Sequence, residues 1–166
     1  MRENQLEHNE VQFNKEFHFE VEVLLDQMYS PANLGSIIRN AEAFGVKTIW
    51  IHHDNKKELE SNRFKRTSRS ADKNVKVSFY ENSTSIIDHF NGLKLGIEIT
   101  TSSQSLKNIE KINSKKVLLA LGNEKHGLNN SILNKLDHIF HIEMFGINSS
   151  LNVSQSLGIA LYELRR

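Results

Sequence analysis

Residues 116–127 read KVLLALGNEKHG, and they carry the strongest structural signal in the chain. Val117 to Leu121 is an unbroken apolar run, which is typical of a strand buried on both faces of a parallel sheet. Gly122 and Gly127 follow with an acid between them, and glycines after a strand let a ligand approach the backbone closely. The turn is a weak signal by itself because many strand-ending turns resemble it. It matches neither the dinucleotide-binding nor the phosphate-loop glycine pattern.

Further apolar runs extend an alternation of strand and helix on both sides of this segment. The predicted strands are Phe19–Leu25, Lys47–His52, Val75–Tyr80, Leu93–Ile99, Lys116–Leu121 and His138–Ile142. Helices are predicted from about Ala32 to Phe44, around Ser83 to Phe90, and at the end of the chain up to Arg166. This order predicts an α/β fold with a mostly parallel six-stranded sheet flanked by helices. Ligands of such sheets bind beyond the carboxyl ends of the strands.

The composition is that of one globular domain. The 166 residues are 38% hydrophobic and 25% charged with a net charge of +1, and no apolar run is long enough for a membrane span. We expect a single domain over residues 19–166, preceded by an extension over residues 1–18 that is too polar and acidic for a signal peptide. The lack of cysteine excludes disulfides and thiolate chemistry, and it fits a cytoplasmic protein. His126 has no neighbours at metal-ligand spacing, so no metal site is expected.

The segment from Lys56 to Lys76 is the basic part of the chain. It holds eight basic and three acidic residues, a local charge of +5, with serine and threonine hydroxyls between them. One interpretation is a solvated face or a flexible loop. The other is a surface for RNA phosphates, in which the candidate RNA-binding residues are Arg63, Lys65, Arg66 and Arg69.

The first predicted helix begins and ends with clear signals. Ser30 can cap it, Pro31 suits its first turn, and Gly45 can close its far end. At about 100° per residue, Arg39 projects nearly opposite the apolar stripe of this helix, so its position alone indicates a solvent-exposed arginine. Asn33, near the helix start, is by itself more often a capping residue than a ligand-binding one.

Residues 149–154 read SSLNVS and open the terminal helix. Serine and asparagine at a helix start can cap the helix. The free backbone N–H groups there can also hold a ligand or a reacting oxygen. The segment alone does not separate these two interpretations.

Three motifs occur in a recognisable order. A helix with asparagine, glycine and arginine leads to Phe-Gly, then Gly-x-Glu-x-x-Gly follows an apolar strand, and Ser-Leu-Asn-Val-Ser opens a helix that ends in Tyr-Glu-x-x-Arg. The matching residues are Asn33, Gly35, Arg39, Phe44, Gly45, Gly122, Glu124, Gly127, Ser150 to Ser154, Tyr162, Glu163 and Arg166. In this order the motifs resemble the SpoU family of RNA ribose 2′-O-methyltransferases, within the SPOUT superfamily. The resemblance covers roughly Glu20 to Arg166.

The resemblance implies a C-terminal trefoil knot, which breaks the general rule against knotted chains. It also implies S-adenosylmethionine (AdoMet) as methyl donor and a homodimer with its sites at the subunit interface. By the family's pattern, the cofactor-binding residues are Ile99, Thr100, Leu121, Gly122, Ile142, Met144 and Leu151. The implied catalytic residues are Arg39, Asn33, Glu124, Ser150 and Asn152, with Arg39 at the centre.

A ribose hydroxyl is a weak nucleophile and must lose its proton as it attacks the methyl group. Arginine is almost always charged. Arg39 therefore either becomes a base when RNA docking changes its surroundings, or stabilises the developing alkoxide while another group takes the proton. Neither route needs a metal ion.

The expected substrate is structured RNA, with tRNA favoured. The run Ile97–Thr100 followed by Ser105-Leu106 resembles the tRNA-directed members of the family. The same reaction on rRNA is the first alternative, and a non-catalytic knotted RNA-binding protein is the second.

One departure from the family's pattern falls in the expected cofactor loop. The family usually has Ile-Pro-Met where this chain has Ile142-Glu143-Met144. Glu143 keeps a backbone N–H that proline lacks, so the loop is expected to differ in detail.

Overall fold

The computed structural model describes residues 18–109 and 113–166, and residues 1–17 of the predicted extension lie outside the described residues. The strands are β1 Glu20–Leu25, β2 Thr48–His52, β3 Lys76–Tyr80, β4 Leu93–Ile97, β5 Gln104–Ser105, β6 Lys116–Leu121 and β7 His138–His141. They form one sheet in the order β3-β2-β1-β6-β4-β7-β5, in which all neighbouring strands are parallel. The predicted α/β fold with a parallel sheet is confirmed.

The number of strands was predicted wrongly, because the sheet has seven and not six. The extra strand is β5, which has two residues, lies at the sheet edge and pairs with β7. Two residues are too few to show an alternating pattern, so the sequence carries no signal for this strand. The six predicted strands are all present, with ends within two residues of the prediction.

Helices cover both faces of the sheet. They are α1 Pro31–Ala43, α2 Lys56–Glu60, α3 Asn62–Ser68, α4 Ser83–His89, α5 Asn130–Leu133 and α6 Val153–Arg165. On one face, α1 and α6 pack against each other, and Ile38 and Leu161 belong to the same apolar cluster. On the other face, α4 and α5 contribute Ile87 and Ile132 to a second cluster.

Strand β6 is the centre of the sheet, between β1 and β4. Val117, Leu119 and Leu121 belong to the apolar cluster shared with α1 and α6. Leu118 and Ala120 belong to the cluster on the opposite face. None of these five residues is more than 1% exposed. Burial on both faces therefore explains why this strand is apolar at every position from Val117 to Leu121 rather than at alternate ones.

Helix α1 has the ends that its sequence predicts and lies between two other helices. Ser30 caps it by accepting a hydrogen bond from the backbone N of Asn33 at 3.4 Å, and Gly45 follows it with φ of +63°. The packing of α1 against α3 is close, since a Cβ on Gly35 would lie 1.9 Å from Thr67 Oγ1. With α6 on its other side, α1 is held in place by both neighbours.

The strand order reverses near the middle of the sheet. The chain runs outward from β1 to β3 on one side and then returns across the centre to β4 on the other. In parallel sheets of this kind, ligands bind beyond the carboxyl ends of the strands at the point of reversal. The carboxyl ends of β1, β4 and β6 therefore mark the region in which a site is expected.

The trefoil knot implied by the family resemblance stays a prediction.

Among residues 18–109 and 113–166, no helix combines the length and the apolar character needed to cross a membrane.

Candidate active site

A cavity of about 630 Å³ lies beyond the carboxyl ends of β4, β6 and β7. Its wall consists of residues 97–99, 121–127, 141–142, 144, 149–153 and 156. The volume is within the range of sites that bind small molecules and cofactors. The cavity thus lies at the sheet edge where the reversal of strand order predicts a site.

Six of the seven predicted cofactor-binding residues line this cavity. They are Ile99, Leu121, Gly122, Ile142, Met144 and Leu151. Thr100 is not part of the wall. Its backbone N donates to Ser103 Oγ at 3.1 Å and its carbonyl accepts from the same hydroxyl at 2.9 Å, which closes the turn after β4. The role of these residues in binding stays a prediction.

Three polar side chains form a continuous chain of hydrogen bonds at the edge of the cavity. Asn33 Nδ2 donates to Glu124 Oε1 at 2.7 Å, and Asn33 Oδ1 accepts from Asn152 Nδ2 at 2.9 Å. Asn152 Oδ1 accepts from the backbone N of Ser154 at 2.9 Å and thereby caps α6. Because Asn152 Oδ1 accepts in the cap, its Nδ2 is the atom that donates to Asn33. Asn33 must then accept through Oδ1 and donate through Nδ2, and Glu124 accepts this last hydrogen bond.

These contacts join segments that are far apart in the sequence. Asn33 is in the first turn of α1, Glu124 follows β6, and Asn152 directly precedes α6. Ser150, which is exposed, lies in the cavity wall two residues before the cap. The capping interpretation of the SSLNVS segment is therefore confirmed for Asn152, which also contacts Asn33, while the ligand-holding interpretation stays a prediction.

Arg39 is not brought to the cavity by its own chain. Its side chain is exposed on α1, as the helical periodicity predicts, and it is not part of the cavity wall. Six residues separate it from Asn33, which is about 9 Å along the helix axis. A catalytic role for Arg39 therefore requires an approach from outside this chain's own cavity wall.

The turn after β6 requires glycine at both ends of its Gly-x-Glu-x-x-Gly motif. A Cβ on Gly122 would lie 2.1 Å from the backbone C of Gly127. Gly127 has φ of +67°, and its backbone exchanges hydrogen bonds of 2.9 and 3.1 Å with that of Asn123. Asn123 Nδ2 also donates to the Gln27 carbonyl at 2.7 Å, which ties the turn to the loop before α1. Glu124 is thus carried by a turn of defined shape.

The sequence reasoning missed Glu98, which is the first residue after β4 and lines the cavity. Glu98 Oε1 accepts a hydrogen bond from the backbone N of Ile99 at 2.9 Å, and Oε2 accepts from the backbone N of Leu128 at 2.8 Å. The predicted strand continued to Ile99 and so enclosed this residue. The signal that was available is an acidic residue at the carboxyl end of an otherwise apolar strand, where ligands bind.

Glu143 stands where the family usually has proline, and it is not part of the cavity wall. It forms an ion pair with Lys107. The hydrogen bond from Lys107 is the main reason why the pKa of Glu143 lies below its usual value. The departure from the family's pattern therefore links the loop after β7 to the turn after β5.

The predicted RNA-binding residues belong to α3 or directly follow it, and all are exposed: Arg63, Lys65, Arg66 and Arg69. Ser61 caps α3 by accepting from the backbone N of Phe64 at 3.2 Å, and Phe64 and Ser68 are buried. One face of the helix is thus anchored while the other presents cations to solvent. Part of the basic segment is therefore a helix with exposed cations, and the binding of RNA by these residues stays a prediction.

One group of three side chains in the described ranges has ligand atoms close enough together to hold a metal ion. It consists of His52, His53 and Asp54, whose ligand atoms lie within 4.8 Å of one another. The group follows β2 and lies outside the cavity wall. That the chemistry needs no metal stays a prediction.

Comparison with known proteins identifies the family. A model described as the SpoU rRNA Methylase family matches residues 20–162. This chain belongs to the SpoU methylase family. The resemblance seen in the three motifs is thereby confirmed, and the region matched by the family model contains the cavity wall and the three motifs up to Tyr162.

Individual relatives of this SpoU domain include tRNA and rRNA methyltransferases. An uncharacterized tRNA/rRNA methyltransferase of Borreliella burgdorferi is 34% identical over 149 residues, which cover 87% of this chain and 63% of that protein. The tRNA (guanosine(18)-2'-O)-methyltransferase of Aquifex aeolicus is 28% identical over 145 residues, which cover 87% of this chain and 68% of that protein.

A solved structure shares the fold of the SpoU domain. The crystal structure of an AdoMet-bound rRNA methyltransferase from Sinorhizobium meliloti matches with a TM-score of 0.79 at 27% identity, over 88% of this chain and 56% of that one. The chain therefore spans between 56% and 68% of the length of these three proteins.

Proposed function

We propose that this chain is an AdoMet-dependent methyltransferase that modifies a ribose 2′-hydroxyl in structured RNA. The observation that carries the proposal is the chain of hydrogen bonds from Glu124 through Asn33 to Asn152, at the edge of a cavity of cofactor size. Membership of the SpoU family and the AdoMet-bound structural neighbour support the choice of cofactor.

The residues of the cavity wall fit this cofactor. Ile99, Leu121, Ile142 and Leu151 offer apolar surface for the faces of a purine ring. Gly122 lets the backbone of Gly127 pack directly against it, which shapes this part of the wall. When bound, the cofactor supplies a methyl group on a positively charged sulfur. The proposed binding residues are Ile99, Thr100, Leu121, Gly122, Ile142, Met144 and Leu151.

The remaining residues of the site have to orient the ribose and stabilise the charge that develops on its oxygen. Methyl transfer to oxygen depends on in-line placement more than on covalent help. Asn33, Glu124 and Asn152 form the fixed frame for this placement. Ser150 precedes the N-terminus of α6, where the helix dipole favours negative charge.

Arg39 is proposed to enter this site from α1 of a second copy of the chain. Because arginine keeps its charge in proteins, we assign to it the stabilisation of the developing alkoxide and not the removal of the proton. A homodimer supplies the required approach. Ile159 and Tyr162 on α6 are 42% and 62% exposed, and they offer an apolar contact face for such a dimer.

The proposed substrate is tRNA, with rRNA as the second candidate. The exposed cations of α3 suit the RNA backbone, and such contacts raise affinity without reading sequence. The Aquifex aeolicus relative is named for tRNA and the Sinorhizobium meliloti neighbour for rRNA, so both substrates have support. We propose the cytoplasm as the compartment, in keeping with the cysteine-free composition.

The proposal is tested by incubating the protein with labelled AdoMet in two separate reactions, one with bulk tRNA and one with bulk rRNA. We expect incorporation of label at the ribose 2′-oxygen of tRNA. Arg39→Ala is expected to lower the rate by about 100-fold or more, because a charge that stabilises the transition state is lost. Arg39→Lys keeps the charge without the planar fork and is expected to retain part of the rate. AdoMet binding by Arg39→Ala should equal that of wild type, because Arg39 is outside the cavity wall.

Each outcome has a distinct meaning. RNA binding without incorporation of label, together with no AdoMet binding at millimolar concentration, would show a non-catalytic RNA-binding protein and refute the proposal. Incorporation into rRNA alone would make rRNA the substrate. Incorporation by Arg39→Ala at the wild-type rate would contradict the role assigned to this arginine.

A further inference from the structure

Glu98 combines three features that the proposed reaction does not yet use. It is the first residue after β4, it is half-buried, and it lines the cavity. Its carboxylate forms no ion pair with a lysine, arginine or histidine of the described ranges. A negative charge that no cation neutralises is therefore placed in the wall of the proposed cofactor cavity.

The carboxylate bridges two loops of the cavity wall. Oε1 accepts from the backbone N of Ile99, in the loop after β4, at 2.9 Å. Oε2 accepts from the backbone N of Leu128, at the end of the turn after β6, at 2.8 Å. The two loops come from neighbouring strands of the sheet, since β4 pairs with β6. Glu98 is thus a clamp between them.

The position of this clamp is fixed by Gly127. A Cβ on Gly127 would lie 2.4 Å from Glu98 Oε2 and 3.0 Å from its Cδ, so the carboxylate packs directly against the bare glycine backbone. Gly127 is in turn paired with Asn123 across the turn that carries Glu124. The carboxylate of Glu98 therefore helps to hold the whole turn in its observed shape.

The charge of the clamp matters because the proposed cofactor changes charge in the reaction. AdoMet carries a positive sulfonium, and the product S-adenosylhomocysteine carries a neutral thioether. The other carboxylate of the wall, Glu124, already accepts from Asn33 at 2.7 Å. A fixed negative charge at Glu98 attracts the methyl donor more than the product.

We propose that Glu98 is a positioning residue of the cofactor cavity, which clamps its two loops and makes the cavity prefer the cationic methyl donor over the neutral product. The inference rests on the proposed function. It assigns to Glu98 no contact with the RNA and no part in proton transfer.

The test measures the Kd values of AdoMet and of S-adenosylhomocysteine by isothermal titration calorimetry, so it needs no RNA and no turnover. Glu98→Gln removes the charge at nearly constant size, and it should lower the preference for AdoMet over product by about two- to fivefold. Glu98→Asp keeps the charge but shortens the reach. It should weaken both ligands by about two- to tenfold through the lost bridge while it preserves their ratio.

A matched control separates this effect from a general change of charge. Glu81→Gln removes an exposed carboxylate directly after β3, outside the cavity wall, and should leave both Kd values unchanged. Far-UV circular dichroism confirms that each variant is folded. If Glu98→Asp fails to fold, Glu98→Gln decides alone, because only this variant removes the charge. If Glu98→Gln fails to fold, a changed ratio of the two Kd values in Glu98→Asp, which keeps the charge, would overturn the inference.

The outcomes distinguish this inference from the proposed function. If wild type binds neither ligand, the proposed function fails and the inference fails with it. If wild type binds both ligands and Glu98→Gln behaves like Glu81→Gln, only the role of Glu98 is refuted. If both Glu98 variants weaken the two ligands equally, the residue has a structural role alone, and the preference for the cationic donor is refuted.

Discussion

Gly35→Ala is expected to destabilise the protein, although alanine is the better helix former. Gly35 lies within α1, where α3 packs against it. The new Cβ would lie 1.9 Å from Thr67 Oγ1, 2.8 Å from Thr67 Cβ and 2.9 Å from the carbonyl O of Phe64. Rotation of the Thr67 side chain relieves only the first contact. The other two involve atoms fixed to the backbone of α3, so the two helices have to separate.

The size of the effect follows from two opposing terms. Overpacking that shifts backbone costs about 1–3 kcal/mol. Replacing glycine by alanine within a helix returns up to about 1 kcal/mol. The difference is a net loss of about 0–2 kcal/mol in the free energy of unfolding, and the two contacts below 3.0 Å with atoms fixed to the backbone of α3 place Gly35→Ala in the upper half of that range, at about 1–2 kcal/mol. For a chain of this length, that loss lowers Tm by roughly 2–8 °C.

The matched control is Gly158→Ala in α6. There the new Cβ would meet only the Asn40 side chain, whose Nδ2 would be 3.3 Å away. This Nδ2 donates to the Ser154 carbonyl at 2.7 Å, so it has to shift slightly within that hydrogen bond. The small cost is set against the better helix propensity of alanine, and the variant is expected to be within about 1 kcal/mol of wild type in stability. Urea unfolding followed by far-UV circular dichroism measures both variants. Equal stability of Gly35→Ala and Gly158→Ala would refute the steric reasoning.

Three further predictions concern the site, the RNA surface and a buried acid. Asn33→Asp places a second carboxylate against Glu124 and should slow methyl transfer by about 10- to 100-fold. Binding of AdoMet, measured by calorimetry, should not change. An unchanged rate of methyl transfer would contradict the role of the hydrogen bonds between Glu124, Asn33 and Asn152. The double variant Arg63→Ala, Arg66→Ala should have a shallower salt dependence of RNA binding. The slope of the logarithm of the association constant against the logarithm of the salt concentration should fall in magnitude by about 1–2, measured by filter binding between 50 and 200 mM salt. An unchanged slope would exclude phosphate contacts by these two residues. Burial raises the pKa of Asp26, so its ionisation lowers the stability of the folded state as pH rises through the ordinary carboxyl range. The difference in Tm between Asp26→Asn and wild type should therefore increase in favour of the variant between about pH 4 and pH 7. A difference that decreases with rising pH would contradict this sign.

Much of the fold was predictable because its long elements carry strong patterns. Strand β6 is apolar from Val117 to Leu121 since both of its faces are buried there, and α1 shows its cap, its apolar stripe and its closing glycine. The elements that escaped prediction are short. The two-residue β5 and the four-residue α5 span too few residues to show a period, and tertiary contacts decide their conformation.

The residues of the candidate site could be predicted where they belong to a sequence motif. They could not be predicted where a residue's role depends on a contact with a distant part of the chain. Asn33, Glu124 and Asn152 come from three separate motifs, and the structure joins them by hydrogen bonds. Glu98 lies outside the three motifs, and its proposed role depends on Leu128 being within reach of its carboxylate, which no local pattern encodes. Arg39 is the opposite case. Helical periodicity correctly predicts its exposure, but its proposed role depends on a second copy of the chain, which no pattern in one sequence reveals.

The position of β6 at the centre of the sheet has a consequence for how the chain folds. The pair β1–β6 joins Glu20 to Lys116, so the middle of the sheet closes only after the segment between them has been arranged. Contacts of such long sequence separation slow folding, because the entropy of closing the loop is lost before the contacts form. Until β6 arrives, β1 exposes an apolar edge on which a second unfinished chain can pair. During synthesis, this edge of β1 therefore stays unpaired until residue 121 has emerged, and pairing with a second unfinished chain is most favoured in that stage.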